Sequence, residues 1–206
     1  AVPRTIEFMQ TGIGHPVDLS DWLKREPNKL AHVLDVISDD YAELSKALVE
    51  EAKVDGIYLS VNNISYDEVT EEAYRKIIAP YEQKILEAAN RAGGENILHI
   101  CGYHGFHNHL SWYREYPFLA VNWAAKVEGV SLSEGKKLFQ GKAVIGGFGQ
   151  TEKDLIYSGT EEAIKAETRR LLDEAGRIGV VLGADCTIPR DTPVSHLKWV
   201  REAANE

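Results

Sequence analysis

A chain of 206 residues with 44% hydrophobic and 27% charged side chains has the makeup of an ordinary folded protein, which excludes disordered, fibrous and membrane-embedded classes. Lys and Arg number 23 against 32 Asp and Glu, for a net charge of −9, and a surface of that sign repels nucleic acid and anionic membranes as main partners. No run approaches the ~18 to 20 apolar residues of a membrane span, and Ala1-Val2-Pro3-Arg4 has none of the regions of a secretory signal, so a cytoplasmic setting is expected. In such a compartment the two cysteines, Cys101 and Cys186, are expected to stay reduced.

In chain order, residues 5–10 (TIEFMQ) form the weakest of six strand candidates. Residues 31–53 follow as a helix, with Val33, Val36, Ile37, Tyr41, Leu44 and Leu48 on one stripe at three- and four-residue spacing. A strand is predicted over 54–61 (VDGIYLSV). Ser65 and Glu68 then make a capping box for a long helix that Pro80 kinks and Gly93-Gly94 ends. Further strands are predicted over 96–102 (NILHICG), 118–124 (FLAVNWA), 142–148 (KAVIGGF) and 179–185 (GVVLGAD). Most of these runs lack polar alternation, as strands buried on both faces do. Between them, Ser131 with Glu134 and Thr160 open two helices, and Thr192-Pro193 reads as an N-cap followed by proline at the first helical position.

Strands alternating with helices imply an α/β protein with a parallel sheet, either doubly wound or closed as a (β/α)8 barrel. A dinucleotide-binding sheet carries Gly-x-Gly-x-x-Gly after its first strand, and that pattern does not occur. Gly146-Gly147-Phe148-Gly149 lacks its spacing and reads as a tight strand exit rather than a phosphate cradle. The expectation is therefore a TIM-type barrel in one domain over residues 1–206. About six βα units are present, and the first two units of the usual eight are missing. Strand edges left open by that absence would pair with another chain, so a homo-oligomer is one expectation.

The chemistry concentrates in Leu98-His99-Ile100-Cys101-Gly102. Residues two apart on a strand point to one side, so His99 and Cys101 face the same way at the carboxyl end, where barrels place their sites. Cys186 holds the equivalent position on the last strand, in Gly183-Ala184-Asp185-Cys186. One imidazole and two thiolates suit Zn²⁺ in tetrahedral geometry with a fourth position open. Alternatively, the cysteines pack as small hydrophobes beside a satisfied histidine. The loop Tyr103-His104-Gly105-Phe106-His107-Asn108-His109 offers three histidines as ligand, general acid or solvated surface, and His104 is the candidate taken as catalytic. Asn62, at the end of its strand, reads as a substrate hydrogen-bonding group or a turn residue, and Asp185 as a group orienting a metal ligand. Tyr103 and Trp123 are candidates to wall a flat cofactor, or to pack in the core.

Taken in order, VDGIYLSV, LHICG, VNW, VIGGF, SGTEEAI and VLGADCTIPRDTPVSHL resemble the uroporphyrinogen decarboxylase superfamily over nearly the whole chain, from about the third strand of its barrel onward. Within it the chain looks most like the corrinoid-linked methyltransferases, whose His-x-Cys…Cys zinc motif falls here on His99, Cys101 and Cys186. The resemblance implies zinc, methylcobalamin as methyl donor, a corrinoid protein as partner and a small thiol such as coenzyme M as acceptor. Uroporphyrinogen III decarboxylase is the alternative, with no metal or cofactor. A non-catalytic corrinoid or tetrapyrrole binder is a further one. True decarboxylases place a histidine where this chain has Ala184-Asp185-Cys186, and tend to have Asp where it has Asn122.

Overall fold

The computed structural model describes residues 19–63, 70–102 and 106–206. The expected strand over 5–10 and the capping box of Ser65 and Glu68 lie outside them, as do the candidates Tyr103 and His104. All five remaining strands form, each shorter than its apolar run. They are β1 (Tyr58–Val61), β2 (Ile97–Ile100), β3 (Ala120–Trp123), β4 (Ala143–Phe148) and β5 (Val180–Ala184). They make one sheet in the order β1-β2-β3-β4-β5, with β3, β4 and β5 in parallel register through Val121↔Val144 and Gly146↔Leu182. A strictly sequential order without a reversal point is that of a barrel wall and not of a doubly wound sheet, so the fold is α/β of partial TIM-barrel type.

The contacts divide the chain into two compact units, Ala1–His99 with Asn108–Leu119, and Ile100–His107 with Ala120–Glu206. In the first, α1 (Leu19–Arg25) and α2 (Pro27–Glu50) are followed by β1, α3 (Glu71–Ile77), α4 (Ala79–Arg91) and β2. The expected long helix is broken at Ile78, just before Pro80. Its first half is capped by Thr70, whose side chain accepts from Ala73 N, and Gly93 at φ +92° follows its second half. The buried stripe of α2 is Leu30, Leu34, Ser38 and Ser45, while Val33, Val36 and Leu44 are exposed. This corrects the predicted face. Small serines carry no hydrophobic signal, yet they let α2 pack along α4. Strands β1 and β2 are joined by Glu95 N to Asp55 O and Ile97 N to Ile57 O, and buried Asn96 caps this edge by accepting from Ile57 N at 2.8 Å.

The second unit runs β3, α5 (Ala125–Glu128), α6 (Leu132–Leu138), β4, α7 (Leu155–Ser158), α8 (Glu161–Ala175), β5 and α9 (Val194–Ala204). Ser131 and Glu134 complete the expected capping box on α6, and the Thr160 side chain caps α8. The cap of α9 shifts by one. Pro193 is the N-cap, because the Thr192 hydroxyl donates to Pro189 O at 2.7 Å instead of serving the helix. Trp123, Phe139 and Phe148 are fully buried between sheet and helices. Strand β3 is buried throughout, its polar Asn122 included, whereas β5 stands half-exposed at the end of the described sheet.

Candidate metal centre

Strand β2 continues directly into Cys101, so one backbone carries His99 and Cys101 on the same side of the strand. His99 and Cys101 are both buried, and the His99 ring stacks on Tyr58 with centroids 5.3 Å apart. Cys186 follows Asp185 just beyond β5 and is half-buried. Its Sγ lies 3.9 Å from Cys101 Sγ across 85 positions of sequence, and neither cysteine is in a disulfide. The ligand atoms of His99, Cys101 and Cys186 all lie within 4.8 Å of one another. Two thiolates on a tetrahedral zinc, each ~2.3 Å from the metal, sit about 3.8 Å apart, so the spacing observed here fits that ion. A nitrogen and two sulfurs are also the donor set zinc prefers, with a fourth position left for a ligand.

Asp185 is buried, and it spends its carboxylate on backbone. Its Oδ1 accepts from Gly147 N at 3.1 Å and its Oδ2 from Lys126 N at 2.9 Å. Burial pushes its carboxyl up to about 6 against the pull of those two bonds. Asp185 thus ties the end of β5, and with it Cys186, to β4 and the start of α5. Asn122 completes this floor: its Nδ2 donates to Ile145 O at 2.9 Å and Ala184 O at 3.2 Å, bridging β3 to the two strands beyond. An ionised Asp has no proton to give those carbonyls, so the residue that departs from the decarboxylase pattern is the one this geometry needs.

Trp123 is corrected as a cofactor wall. It has no exposed surface, its Nε1 donates to Val130 O at 2.9 Å, and its ring is packed against Phe139 and Gly135, leaving no face for a ligand. Asn62 sits half-buried just past β1. Its neighbour Asn63 is a latch for the loop after β2, pairing its Oδ1 and Nδ2 with His109 N at 2.8 Å and His109 O at 3.2 Å. His109 itself stacks on Trp112, while His107 is exposed and lies 3.6 Å from the buried carboxylate of Glu128.

Two residues near the cysteines escaped the sequence reading. The Glu128 side chain is 2% exposed, with Oε1 3.4 Å from where a Cβ on Gly102 would stand. Gln150 donates Nε2 to Gly102 O at 3.5 Å. The only signal for Gln150 was its place after Gly146-Gly147-Phe148-Gly149. These glycines serve close packing, not a phosphate: a Cβ on Gly147 would meet Leu171 at 2.9 Å, and one on Gly149 would meet the Asp154 carboxylate at 2.2 Å.

No helix among the described residues is long and apolar enough to cross a membrane. The methylcobamide:CoM methyltransferase MtbA of Methanosarcina acetivorans is 28% identical over 173 residues, which are 84% of this chain and 48% of that protein. Its counterpart of the same name in Methanosarcina mazei is 27% identical over 172 residues, again 84% and 48%. The chain therefore spans about half the length of the curated relatives it matches. The family profile described as uroporphyrinogen decarboxylase (URO-D) matches residues 9–206, and the chain belongs to that family of enzymes.

Proposed function

We propose that this chain is part of a cytoplasmic, zinc-dependent methyltransferase that transfers a methyl group from methylcobalamin, presented by a corrinoid protein, onto a small thiol. The observation that carries the reading is the 3.9 Å approach of Cys101 Sγ and Cys186 Sγ beside His99. These three side chains would hold Zn²⁺, which when bound lowers the pKa of a thiol at its open position and leaves a thiolate able to attack a methyl carbon. Two cysteine ligands match the two charges of the ion and temper its acidity, which suits a thiol acceptor better than a water-activating hydrolase. Asp185 and Asn122 keep Cys186 in place through the backbone of β4 and β5, and the Methanosarcina relatives are methyltransferases of the same class.

Metal-free decarboxylation of uroporphyrinogen III is the rival within the family, and Asn122 as a double donor disfavours it. The test is methyl transfer from methylcobalamin to 2-mercaptoethanesulfonate and 2-mercaptoethanol by zinc-loaded protein, alongside a decarboxylase assay. Zinc-dependent transfer that Cys101→Ala abolishes is expected. Decarboxylation without metal, or transfer that survives Cys101→Ala, overturns the reading.

A further inference from the structure

Cys101 and Cys186 are the two cysteines of this chain, and both belong to its second compact unit. Each follows the end of a strand, β2 and β5 respectively. The β5 end is fixed by backbone and side chain together: Asp185 N donates to Phe148 O at 2.7 Å, and the Asp185 carboxylate accepts from Gly147 N at 3.1 Å. The sulfurs are thus presented to each other at 3.9 Å, and about 2 Å of closure, within the swing of a cysteine side chain, brings them to the length of a disulfide. They differ in access. Cys101 is 7% exposed, whereas Cys186 is half-buried, so a small oxidant meets Cys186 first.

We propose that Cys101 and Cys186 form a reversible disulfide driven by peroxide, which closes the metal site; the second clause rests on the zinc reading above. In the first step the Cys186 sulfur attacks one oxygen of hydrogen peroxide and the O–O bond breaks. The products are a sulfenic acid on Cys186 and one water. In the second step the Cys101 sulfur attacks the Cys186 sulfur, the S–O bond breaks, the S–S bond forms, and the hydroxyl leaves with the Cys101 proton as a second water. Two thiols and one peroxide become one disulfide and two waters, and two electrons pass from the sulfurs to the peroxide. The closed pair has no thiolate left to bind an ion. A bound zinc opposes the reaction, because it occupies both sulfurs and holds them about 3.8 Å apart. In a reducing compartment such a bond is transient, and an external thiol reopens it.

The test treats the full chain, reduced and metal-free, with equimolar hydrogen peroxide and follows it by intact mass, thiol titration and non-reducing denaturing gels. Both thiols should disappear, the mass should fall by that of two hydrogen atoms, and the chain should run as a single polypeptide. Dithiothreitol should restore the thiols and the zinc binding. Zinc-loaded chain should react about tenfold more slowly, since its sulfurs are occupied. With dimedone present, Cys101→Ser should trap the Cys186 sulfenic acid, and Cys186→Ser should be labelled about tenfold more slowly, as its buried sulfur requires. The inference is overturned if the mass rises by oxygen atoms with no disulfide formed, if the bond links separate chains, or if Cys186→Ser is labelled as fast as Cys101→Ser. A reduced chain that binds no zinc before any peroxide is added rejects the zinc reading instead, and the disulfide is still read by mass.

Discussion

Glu82 receives the hydroxyl of Tyr116 at 2.7 Å in the interior of the first unit, and Tyr74 donates to the same Oε2 at 2.8 Å. The second carboxyl oxygen, Oε1, is buried without a hydrogen-bond partner among the described residues. Burial raises the carboxyl above its ordinary range, and the two tyrosine bonds only partly oppose it. The folded state therefore holds a proton that the unfolded chain gives up near pH ~4.3, and stability from this group is present below that pH and lost as pH rises through the folded value. Denaturant midpoints measured from pH 4 to 8 should show Glu82→Gln gaining steadily on wild type with rising pH. A gap that closes over that range would contradict the protonated assignment.

Gly135 lies in the interior of α6, where alanine ordinarily favours a helix by about 1 kcal/mol. Here its Cβ would stand 2.1 Å from the Trp123 ring, which is fully enclosed and pinned by its bond to Val130 O. Overpacking should outweigh propensity, so Gly135→Ala is expected to lower unfolding free energy by roughly 1 to 3 kcal/mol. Chemical denaturation of the variant measures it, and a stabilised Gly135→Ala would show that the indole has room to move.

Removing the Asp185 carboxylate strands two amides, Lys126 N and Gly147 N, of which the latter bond is buried. Each unsatisfied buried donor costs about 1 to 3 kcal/mol, so Asp185→Ala should destabilise by roughly 2 to 5 kcal/mol, and Asp185→Asn, which keeps one acceptor oxygen, by less. Hydrogen exchange at those two amides should accelerate in the alanine variant. Unchanged protection there would remove Asp185 from its assigned position as the tie between β4, β5 and α5.

The strands were legible because parallel, buried β segments are short apolar runs bounded by Gly, Asn and Asp, and all five runs after residue 53 contain one. The helix starts at Ser131 and Thr160 were equally plain, since the capping residue is itself the signal. The face of α2 was not, because its packing runs through Ser38 and Ser45 while valines face outward. The cysteine pair was foreshadowed by spacing and by family resemblance, but their 3.9 Å approach is a tertiary fact joining opposite ends of the chain's second half. Gln150 and Glu128 were invisible for a related reason. A lone Gln after a glycine run and a Glu on a four-residue helix look like surface, and only the close backbone at Gly102 and Gly149 draws them in.

The imidazole and two thiols are the centre of the account, and zinc binding tests them most directly. Chelator competition on the purified chain should give one Zn²⁺ per molecule, and Cys101→Ala or Cys186→Ala should each weaken that affinity about a hundredfold or more, since each removes one of three protein ligands. A chain that binds no zinc, or binds it equally well after either cysteine is replaced, would contradict the metal centre.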